Sequence, residues 1–291
     1  MTIRPRRSVL YMPGSNPRAQ EKAKSLAVDG VILDLEDATA PDKKEEARAT
    51  IRATLDRRAE YGGRELVVRV NGLDTPWGYG DLVAMARAGA DAILLPKVES
   101  ADTVRRAIAI LEAHGAPDEL AVWCMLETAR GVLHAEEIAG AHPRVACFVM
   151  GTSDLARELN CAHTPLRLPM LTSLGLCMLA ARAAGLAILD GVHLDLEDME
   201  GFEAACIQGR ELGFDGKTLI HPKQIDAANR AFSPSDEEVA RARKIIEAWT
   251  AARAAGQGVV VVDGRLVENL HVAMAQRTLA LHEAISRIHG S

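Results

Sequence analysis

The sequence of 291 residues is poor in aromatic side chains (3%), and none of its five cysteines forms a C-x-x-C pair. An odd set of cysteines without that spacing argues against a disulfide framework or a metal–thiolate site and fits a reducing cytoplasm. A net charge of −6 argues against a broad surface for nucleic acid or anionic membranes. The N-terminus lacks the apolar run of a signal peptide, and no segment is apolar over the length of a bilayer. We therefore expect a cytoplasmic protein.

The dinucleotide fingerprint G-x-G-x-x-G is absent after the first predicted strand, where the chain reads YMPGSNPR. Short β-branched runs instead alternate with helical patterns in eight successive units. Eight strand–helix units close a (β/α)₈ TIM barrel, whereas a doubly wound sheet usually has fewer strands and leaves its edges open. The predicted strands are 8–12, 31–34, 66–70, 92–95, 121–126, 145–150, 187–189 and 217–220. The predicted helices between them include 18–27, 43–60, 76–88, 101–114 and 200–212.

The chain continues after the eighth unit. Helices are predicted at 224–231, 236–255 and 269–288, and the segment GQGVVVVDGRLV between the last two reads as a hairpin with an Asp263-Gly264 turn. We predict a barrel domain over residues 1–231 and an extension over residues 232–291. The extension is expected to pack on a neighbouring subunit or to cap the mouth of the active site.

Three carboxylates follow the second predicted strand, in GVILDLEDATAPDKKEEAR. Side chains alternate along a strand, so Leu33 and Leu35 would face the outer helices. Asp34 and Glu36 would then face the barrel axis, at the strand ends where barrels place their active sites. Buried acids there need a cation or hydrogen-bond donors to offset their cost. We interpret the group as functional, although Asp37 alone fits a helix cap equally well.

Two cations stand at the ends of the next predicted strands. Arg69 lies in the apolar run ELVVRVNG, and because a closed barrel has no edge its guanidinium would be buried. It must then meet an anion, which is either a ligand carboxylate or a structural partner, Asp34 or Glu36. Lys97, in LLPKVES, suits a ligand contact and a solvated loop position equally.

Two further carboxylates follow adjacent strands, Glu127 in MLETARGV and Asp154 in GTSDLA. Mg²⁺ binds through one or two carboxylates and leaves its other positions to water and substrate oxygens, so this pair predicts a minimal Mg²⁺ site. Taken alone, Asp154 also suits the N-cap of the next helix. Two carboxylates neutralise the metal, and Arg69 would supply the further positive charge that an anionic substrate needs. His221, before a proline at the last strand end, is either structural or a ligand contact.

Eight segments of the chain resemble one family, in the order in which that family has them, from Arg7 to Arg277. They are RSVLYMPGSN with EKA, LDLEDATAPDKKEEAR, VRVNGLDTPWGYGDL, LLPKVES, MLETARGV, GTSDLA, GFDGKTLIHPKQI and VVVVDGRLVENLHVAMAQR. Each segment is modest alone, but together they are highly specific. The chain is similar to the citrate lyase β-subunit-like (CitE-like) proteins and malyl-CoA lyases of the HpcH/HpaI aldolase superfamily.

The resemblance implies a TIM barrel in homotrimers or hexamers, with the C-terminal segment over a neighbour's active site. It implies a lyase with Mg²⁺ as cofactor that breaks or forms a C–C bond between a CoA thioester and a 2-oxoacid such as glyoxylate or oxaloacetate. Glu127 and Asp154 would hold the metal, and Arg69 would hold the oxoacid carboxylate. The other implied site residues are Tyr11 and Met12 along the thioester arm, Asn16, Arg18 and Lys22 at the CoA part, Ser153, Ile220 and His221 in the substrate pocket, and Asp34, Glu36 and Asp37 around the metal's water shell and Arg69.

Other interpretations stay open. The β subunit of a citrate lyase complex, acting on a citryl thioester of an acyl carrier protein, would share all these residues. A CoA-independent 2-oxoacid aldolase would be expected to have a histidine base where this chain has LDLEDA, and a non-catalytic barrel would have no reason to keep a costly buried acid set. Relatives that hydrolyse the thioester place an aspartate where RLVENLH has Glu268, so we do not assign hydrolysis. Malyl-CoA lyases tend to have a longer insert than LARELNCAHTPLRLP after the sixth strand.

Overall fold

Eight parallel strands form a closed barrel in the order β1 to β8. The structure is a computed structural model and describes residues 3–289. The barrel closes where β1 pairs with β8, with Ser8 opposite Lys217. The strands are β1 Ser8–Pro13, β2 Gly30–Asp34, β3 Glu65–Arg69, β4 Ala92–Leu95, β5 Ala121–Leu126, β6 Val145–Met150, β7 Ala187–Asp190 and β8 Gly216–Leu219. The predicted (β/α)₈ TIM barrel is confirmed.

Helices follow the strands and form the outer layer. They are α1 Pro17–Ala23, α2 Lys44–Leu55, α3 Gly78–Met85, α4 Ala101–Ala113, α5 Ala129–Leu133, α6 Ala135–Ala139, α7 Thr152–Glu158, α8 Leu171–Ala183, α9 Met199–Glu211 and α10 Ile225–Phe232. In α4, the Ser100 hydroxyl caps the first turn by accepting the Thr103 N–H at 3.2 Å. Val104, Ile108 and Leu111 then recur at helical spacing, and all three are buried.

Alternation along the strands divides the apolar core in two. Ile32, Val67 and Trp123 belong to a cluster inside the barrel, whereas Leu33 and Leu35 belong to the larger cluster that includes residues of the outer helices. Asp34, Arg69 and Glu127 have the same parity as the inside cluster. The expectation that the second-strand leucines face outward and the acid faces inward is therefore confirmed.

A second compact unit is formed by residues 233–289 together with residues 3–5. The Ser235 hydroxyl accepts the Glu238 N–H at 3.1 Å, and Glu238 accepts the Ser235 N–H at 2.7 Å, which makes a capping box at the start of the first helix. Asp263 and Gly264 both have positive φ (49° and 75°), as a two-residue hairpin turn requires. The elements of this unit are α11 Asp236–Ala254, β9 Val260–Val262, β10 Arg265–Val267 and α12 Asn269–His289.

The predicted bounds differ from the observed ones mainly at helix ends. The helix predicted at 43–60 ends at Leu55, and a separate 3₁₀ turn, Arg58–Tyr61, leads into Gly62, which has φ +59°. The last barrel strand begins and ends one residue earlier than predicted, so Ile220 lies beyond the strand. Among residues 3–289, none of the helices has the length and apolar character needed to cross a membrane.

Candidate active site

Four charged residues meet at the carboxyl ends of neighbouring strands. Asp34 and Arg69 are the last residues of β2 and β3 and are paired in register. Glu127 directly follows β5, and Asp154 lies in the first turn of α7, after β6. Glu36 and Asp37 lie just after β2, which ends at Asp34. We call the five acids at this end of the barrel the acidic cluster, namely Asp34, Glu36, Asp37, Glu127 and Asp154. Parallel strands deliver these residues to one end of the barrel because all their carboxyl ends point the same way.

The buried Arg69 guanidinium is held by Asp34. Its Nε and Nη2 each donate to one Asp34 oxygen at 2.7 Å, which is a bidentate pair. The same two oxygens accept the backbone N–H groups of Glu36 at 2.9 Å and Ala38 at 3.0 Å. Asp34 is fully buried, and these four hydrogen bonds occupy its oxygens. Asp34 therefore orients Arg69 and the turn after β2, and it is poorly placed to coordinate a metal.

Glu36, Asp37 and Tyr11 surround the outer end of the Arg69 guanidinium. Glu36 Oε2 lies 2.8 Å from Nη1 but is not aligned for a hydrogen bond, and Asp37 Oδ2 lies at 3.5 Å. The Arg69 guanidinium carbon lies 5.0 Å from the centre of the Tyr11 ring. Asp34 takes two of the five N–H groups, and within residues 3–289 Nη1 makes one hydrogen bond, a long one to the Met125 sulfur at 4.0 Å. Arg69 thus retains donor capacity for a carboxylate.

Glu127 is the most strongly perturbed acid of the acidic cluster. It is 3% exposed, and its Oε1 accepts the Lys97 backbone N–H at 2.9 Å. Burial, and after it the charges of Glu36 and Asp154, raise the pKa of Glu127 to about 8 against the opposing effect of Lys97. Because burial and the neighbouring negative charges both disfavour the ionised carboxylate, a cation beside Glu127 would offset their cost.

Lys97 touches two members of the acidic cluster at once. Its backbone N–H binds Glu127, and its ammonium lies 3.1 Å from Glu36 Oε1. The residue has φ +46°, a left-handed conformation that a lysine rarely adopts. Of the two open interpretations from the sequence, the structure shows contact with the acidic cluster, although the side chain is also partly exposed.

Asp154 does not cap α7. The N-cap is Gly151, which has no side chain for the purpose, so the capping interpretation of Asp154 is wrong. Asp154 lies two residues inside the helix, where the positive end of the helix dipole favours a carboxylate, and its Oδ1 pairs with Arg157 at 2.6 Å. Its neighbour Ser153 has a buried hydroxyl without a hydrogen-bond partner.

The residues present fit a hard divalent cation. Among residues 3–289, no group of three or more His, Cys, Asp or Glu side chains could hold a metal ion, so Glu127 and Asp154 would be the only two such ligands. Mg²⁺ is commonly held through one or two carboxylates. A Cβ added to Gly151 would lie 2.5 Å from Glu127 Oε2. The missing side chain at Gly151 therefore leaves the space that the Glu127 carboxylate occupies.

The remaining predicted substrate residues do not all converge on the acidic cluster. Tyr11 does, through Arg69, but Met12 packs in the outer core cluster on the opposite side of β1. Asn16 caps α1 by accepting the Ala19 N–H at 3.1 Å. Arg18 and Lys22 are exposed. Contact of these residues with a substrate stays a prediction.

Ile220 and His221 lie just after β8. Ile220 is 37% exposed. His221 Nδ1 accepts the Lys223 N–H at 3.1 Å, and Gln224 accepts the His221 N–H, which is a capping box for a 3₁₀ turn. This contact gives His221 the structural role that the sequence left open beside ligand contact.

The sequence did not indicate a second layer of support behind the acidic cluster. The buried Lys44 ammonium donates to the carbonyls of Leu35 and Glu36 at 2.7 and 2.8 Å and to Asn71 Oδ1 at 2.9 Å. The Asn71 amide and backbone N–H both donate to Asp81. This network fixes the main chain that carries Glu36. The only sequence signal was a lysine in DKKEEAR, which resembles an ordinary exposed helix start.

Comparisons with known proteins agree with this arrangement. The sequence model of the family described as HpcH/HpaI aldolase/citrate lyase matches residues 7–222. A (3S)-malyl-CoA thioesterase of Cereibacter sphaeroides is 54% identical over 287 residues, which cover 99% of this chain and 98% of that protein. An L-malyl-CoA/beta-methylmalyl-CoA lyase of the same species is 36% identical over 307 residues, covering 97% of this chain and 96% of that protein.

A solved structure extends the similarity to three dimensions. CitE from Mycobacterium tuberculosis, in complex with magnesium, acetoacetate and coenzyme A, superposes with a TM-score of 0.72 and 32% identity, over 94% of this chain and 96% of that one. The family resemblance inferred from the eight sequence segments is therefore confirmed. The chain belongs to the HpcH/HpaI aldolase/citrate lyase family.

Proposed function

We propose that the protein is a Mg²⁺-dependent carbon–carbon lyase that cleaves or forms a 3-hydroxyacyl-CoA thioester of the malyl-CoA type. The observation that carries the proposal is the crowding of carboxylates at the strand ends beside the Arg69 guanidinium, where burial and, after it, the charges of Glu36 and Asp154 raise the pKa of Glu127 to about 8. A bound dication would offset the negative charge of these carboxylates, and the Arg69 guanidinium would then be available to an anionic substrate. The complex of CitE with magnesium, acetoacetate and coenzyme A supports the same combination of ligands.

In this proposal Glu127 and Asp154 hold the metal, and Arg69 binds the carboxylate of the 2-oxoacid portion. When bound, Mg²⁺ supplies Lewis-acid polarisation of substrate oxygens. Lys97 keeps Glu127 in place through its N–H, and Asp34 aims the guanidinium through its bidentate pair. Glu36 and Asp37 complete the negative surroundings of Arg69.

The bond changes of the cleavage direction balance without a further reagent. The hydroxyl of the substrate loses its proton, its oxygen becomes the keto oxygen of the 2-oxoacid, and the electrons of the C–C bond pass to the carbon next to the thioester carbonyl. The resulting enolate charge needs preorganised donors, and the N–H groups of Arg69 that Asp34 does not use are available for it. Protonation of that α-carbon then gives the acyl-CoA and balances the proton lost by the hydroxyl.

Hydrolysis of the thioester is a second candidate. It is favoured by the (3S)-malyl-CoA thioesterase, which at 54% identity is more similar than the lyase at 36%. The higher identity to the thioesterase outweighs the argument from Glu268, so hydrolysis of the same substrate is a real alternative to cleavage of the C–C bond. In that reaction water adds to the thioester carbonyl, and the CoA thiolate leaves and takes up a proton.

One assay separates the two reactions. The protein is incubated with malyl-CoA, methylmalyl-CoA or citryl-CoA and Mg²⁺, and both the 2-oxoacid and the free CoA thiol are measured. Lyase activity releases oxoacid without thiol, whereas hydrolysis releases thiol without oxoacid. Either result stops when EDTA is added and returns with Mg²⁺. Turnover that continues in EDTA, or an absence of both products with every thioester, would reject the proposed function.

The oligomeric state and the extension belong to the same proposal. We infer a homotrimer or hexamer in which the segment after residue 231 lies over a neighbour's active site. Its hairpin and last helix expose several apolar side chains, namely Val259, Val261, Leu266, Leu270 and Met274. Light scattering of the purified protein tests this assignment, and a monomer at assay concentration would contradict it.

A further inference from the structure

A cavity of about 320 Å³ lies between the loop that follows α7, the loop that follows β7 and the first half of α9. It is lined by His163, Thr164 and Arg167 of the first loop, by His193 of the second and by Lys217 of β8. The cavity shares no residue with the acidic cluster. Neither the family resemblance nor the proposed function assigns it a role.

The inner end of this cavity has more positive than negative charge. The fully buried Asp190 carboxylate accepts from Lys217 Nζ at 2.8 Å and from Arg167 Nη1 at 2.5 Å. We call these three residues the ion triad. Two cations against one anion leave one positive charge uncompensated among buried groups, which is costly unless a further anion is present.

The two histidines do not add to that charge at neutral pH. Burial lowers the pKa of His163 and of His193, and the charges of Arg167 at the first and of Lys217 at both lower it further. Both imidazoles are therefore neutral near pH 7. Each retains one ring N–H as a donor.

Polar atoms without partners concentrate at this cavity. Among residues 3–289, six buried side-chain nitrogen or oxygen atoms have no hydrogen-bond partner, and three of them belong to residues that line it. They are Arg167 Nη2, Thr164 Oγ1 and His193 Nε2. Arg167 is 4% exposed, and its Nε and Nη1 are occupied by Gln208 and Asp190. A buried guanidinium with an unused terminal nitrogen is ready to donate to an anion.

The backbone of Arg167 is also unusual. Its φ of +53° is left-handed, which costs free energy for a residue with a side chain. The strained conformation is held by a turn in which the Arg167 N–H donates to the Thr164 carbonyl at 2.9 Å. The same turn therefore carries both the guanidinium and the hydroxyl.

We propose that this cavity binds a small monocarboxylate, which accepts hydrogen bonds from Arg167 and Thr164. The single uncompensated charge of the ion triad matches one negative charge. Asp195 and Asp198 also line the cavity and are exposed, so a second negative charge on the ligand would be opposed. The volume lies at the lower end of the range for ligand pockets, which fits a ligand of few atoms. This inference does not depend on the proposed function.

The test is calorimetric titration of the protein with acetate in EDTA, where neither Mg²⁺ nor a CoA thioester takes part. We expect saturable binding in the millimolar range, at least about tenfold weaker binding of malonate, and retained acetate binding in Arg69→Gln. Retention in that variant separates this cavity from the acidic cluster. Loss of acetate binding in Arg69→Gln, or equal affinity for malonate, would overturn the proposal.

Two variants address the cavity itself. Ala205→Leu fills it from α9 without changing a charge, and we expect it to abolish acetate binding. Thr164→Val removes one donor and should weaken binding about 10- to 100-fold, which is the loss of one hydrogen bond to a charged group. Thr50→Val, on a different helix, is the matched control and should leave the affinity unchanged. Urea midpoints establish that each variant is folded, and acetate affinity unchanged in both cavity variants would reject the site.

Discussion

Two buried carboxylates at strand ends of the same barrel have opposite protonation behaviour. Glu127, after β5, is 3% exposed, and its pKa is raised to about 8. Asp190, the last residue of β7, is fully buried, yet its pKa lies below the ordinary value. Burial acts to raise both pKa values. It prevails at Glu127, whereas at Asp190 the charges of Lys217 and Arg167 outweigh it.

The difference shows that local charge balance, rather than depth, decides the state of a buried acid. Asp190 has two cations in direct contact and is part of the framework. Glu127 has one backbone N–H on Oε1 and two acids nearby, so the folded chain alone does not satisfy it. An unfavourable environment for a buried acid is typical of functional sites, where stability is given up for binding.

The largest effect is expected from Glu127→Gln, which removes the ionisable carboxyl but keeps the shape. Turnover of the active thioester should fall at least about 10³-fold, because the proposed function makes Glu127 a metal ligand and not a supporting residue. The free energy of unfolding in EDTA should not fall, since the amide keeps the shape and removes the cost of burying an ionisable carboxyl beside Glu36 and Asp154. Product assays and urea unfolding measure the two quantities. Full turnover, or a clear loss of stability, would place Glu127 in the framework with Asp190.

The converse change is Asp190→Asn, which leaves Lys217 and Arg167 buried without their anion. Breaking a buried pair in this way costs about 3–5 kcal/mol of unfolding free energy. Urea unfolding measures it, with Asp226→Asn on the exposed face of α10 as the control, expected to change stability by less than about 0.5 kcal/mol. An Asp190→Asn midpoint equal to that of the control would contradict the assigned balance.

A smaller effect is expected from Gly151→Ala. The new Cβ would lie 2.4 Å from the Glu127 Cβ and 2.5 Å from its Oε2, so the carboxylate must shift from its present position. A misplacement near 1 Å costs up to about 100-fold in kcat, and we expect a loss of about 10- to 100-fold in a folded protein. Gly140→Ala is the matched control, because its nearest neighbour would be 3.7 Å away. Equal steady-state kinetics in both variants would contradict the tight packing at Glu127.

The most gradual effect concerns pH in the metal-free protein. The pKa of Glu127 in the folded protein is about 8, whereas the pKa of a glutamate in the unfolded chain is about 4.3. The folded state binds more protons between these values, so stability should decline as pH rises through this window, and Glu127→Gln should remove the decline. The stability contributed by Asp190 has the opposite pH dependence. It is fully present above a pH of about 3.9, the ordinary pKa of an aspartate, and is lost as the pH falls through the lowered pKa of Asp190. Unfolding midpoints from pH 3 to pH 9 in EDTA test both, and identical profiles for wild type and Glu127→Gln would contradict the raised pKa.

The residues at the strand ends could be predicted from the sequence because side chains alternate between the two faces of a strand and a closed barrel fixes which face is inside. It placed Asp34 toward the barrel axis and the neighbouring leucines outward, and the structure confirms that parity. It did not separate the roles of the acids. Asp34 proves to be saturated by Arg69 and two backbone N–H groups, and this depends on turn geometry that periodicity does not encode.

Other parts of the candidate site had no readable signal. Lys44 supports the loop after β2 although its sequence surroundings suggest an exposed helix start. Gly151 matters for the space it leaves, and a lone glycine after a strand is common. Lys97 acts on Glu127 through its backbone N–H, so the identity of its side chain carried no information about that contact.

By itself the sequence determined the eight strand–helix units, the face of each strand and the end of the barrel where acids gather, since these follow from hydrophobic periodicity and chain direction. Only the tertiary structure decided which acids are neutralised and which are left in excess. That decision depends on charges brought together from distant parts of the chain, at separations of about 3 Å, where electrostatic energies change steeply with distance. The ion triad and its cavity arise in the same way, from residues 167, 190 and 217.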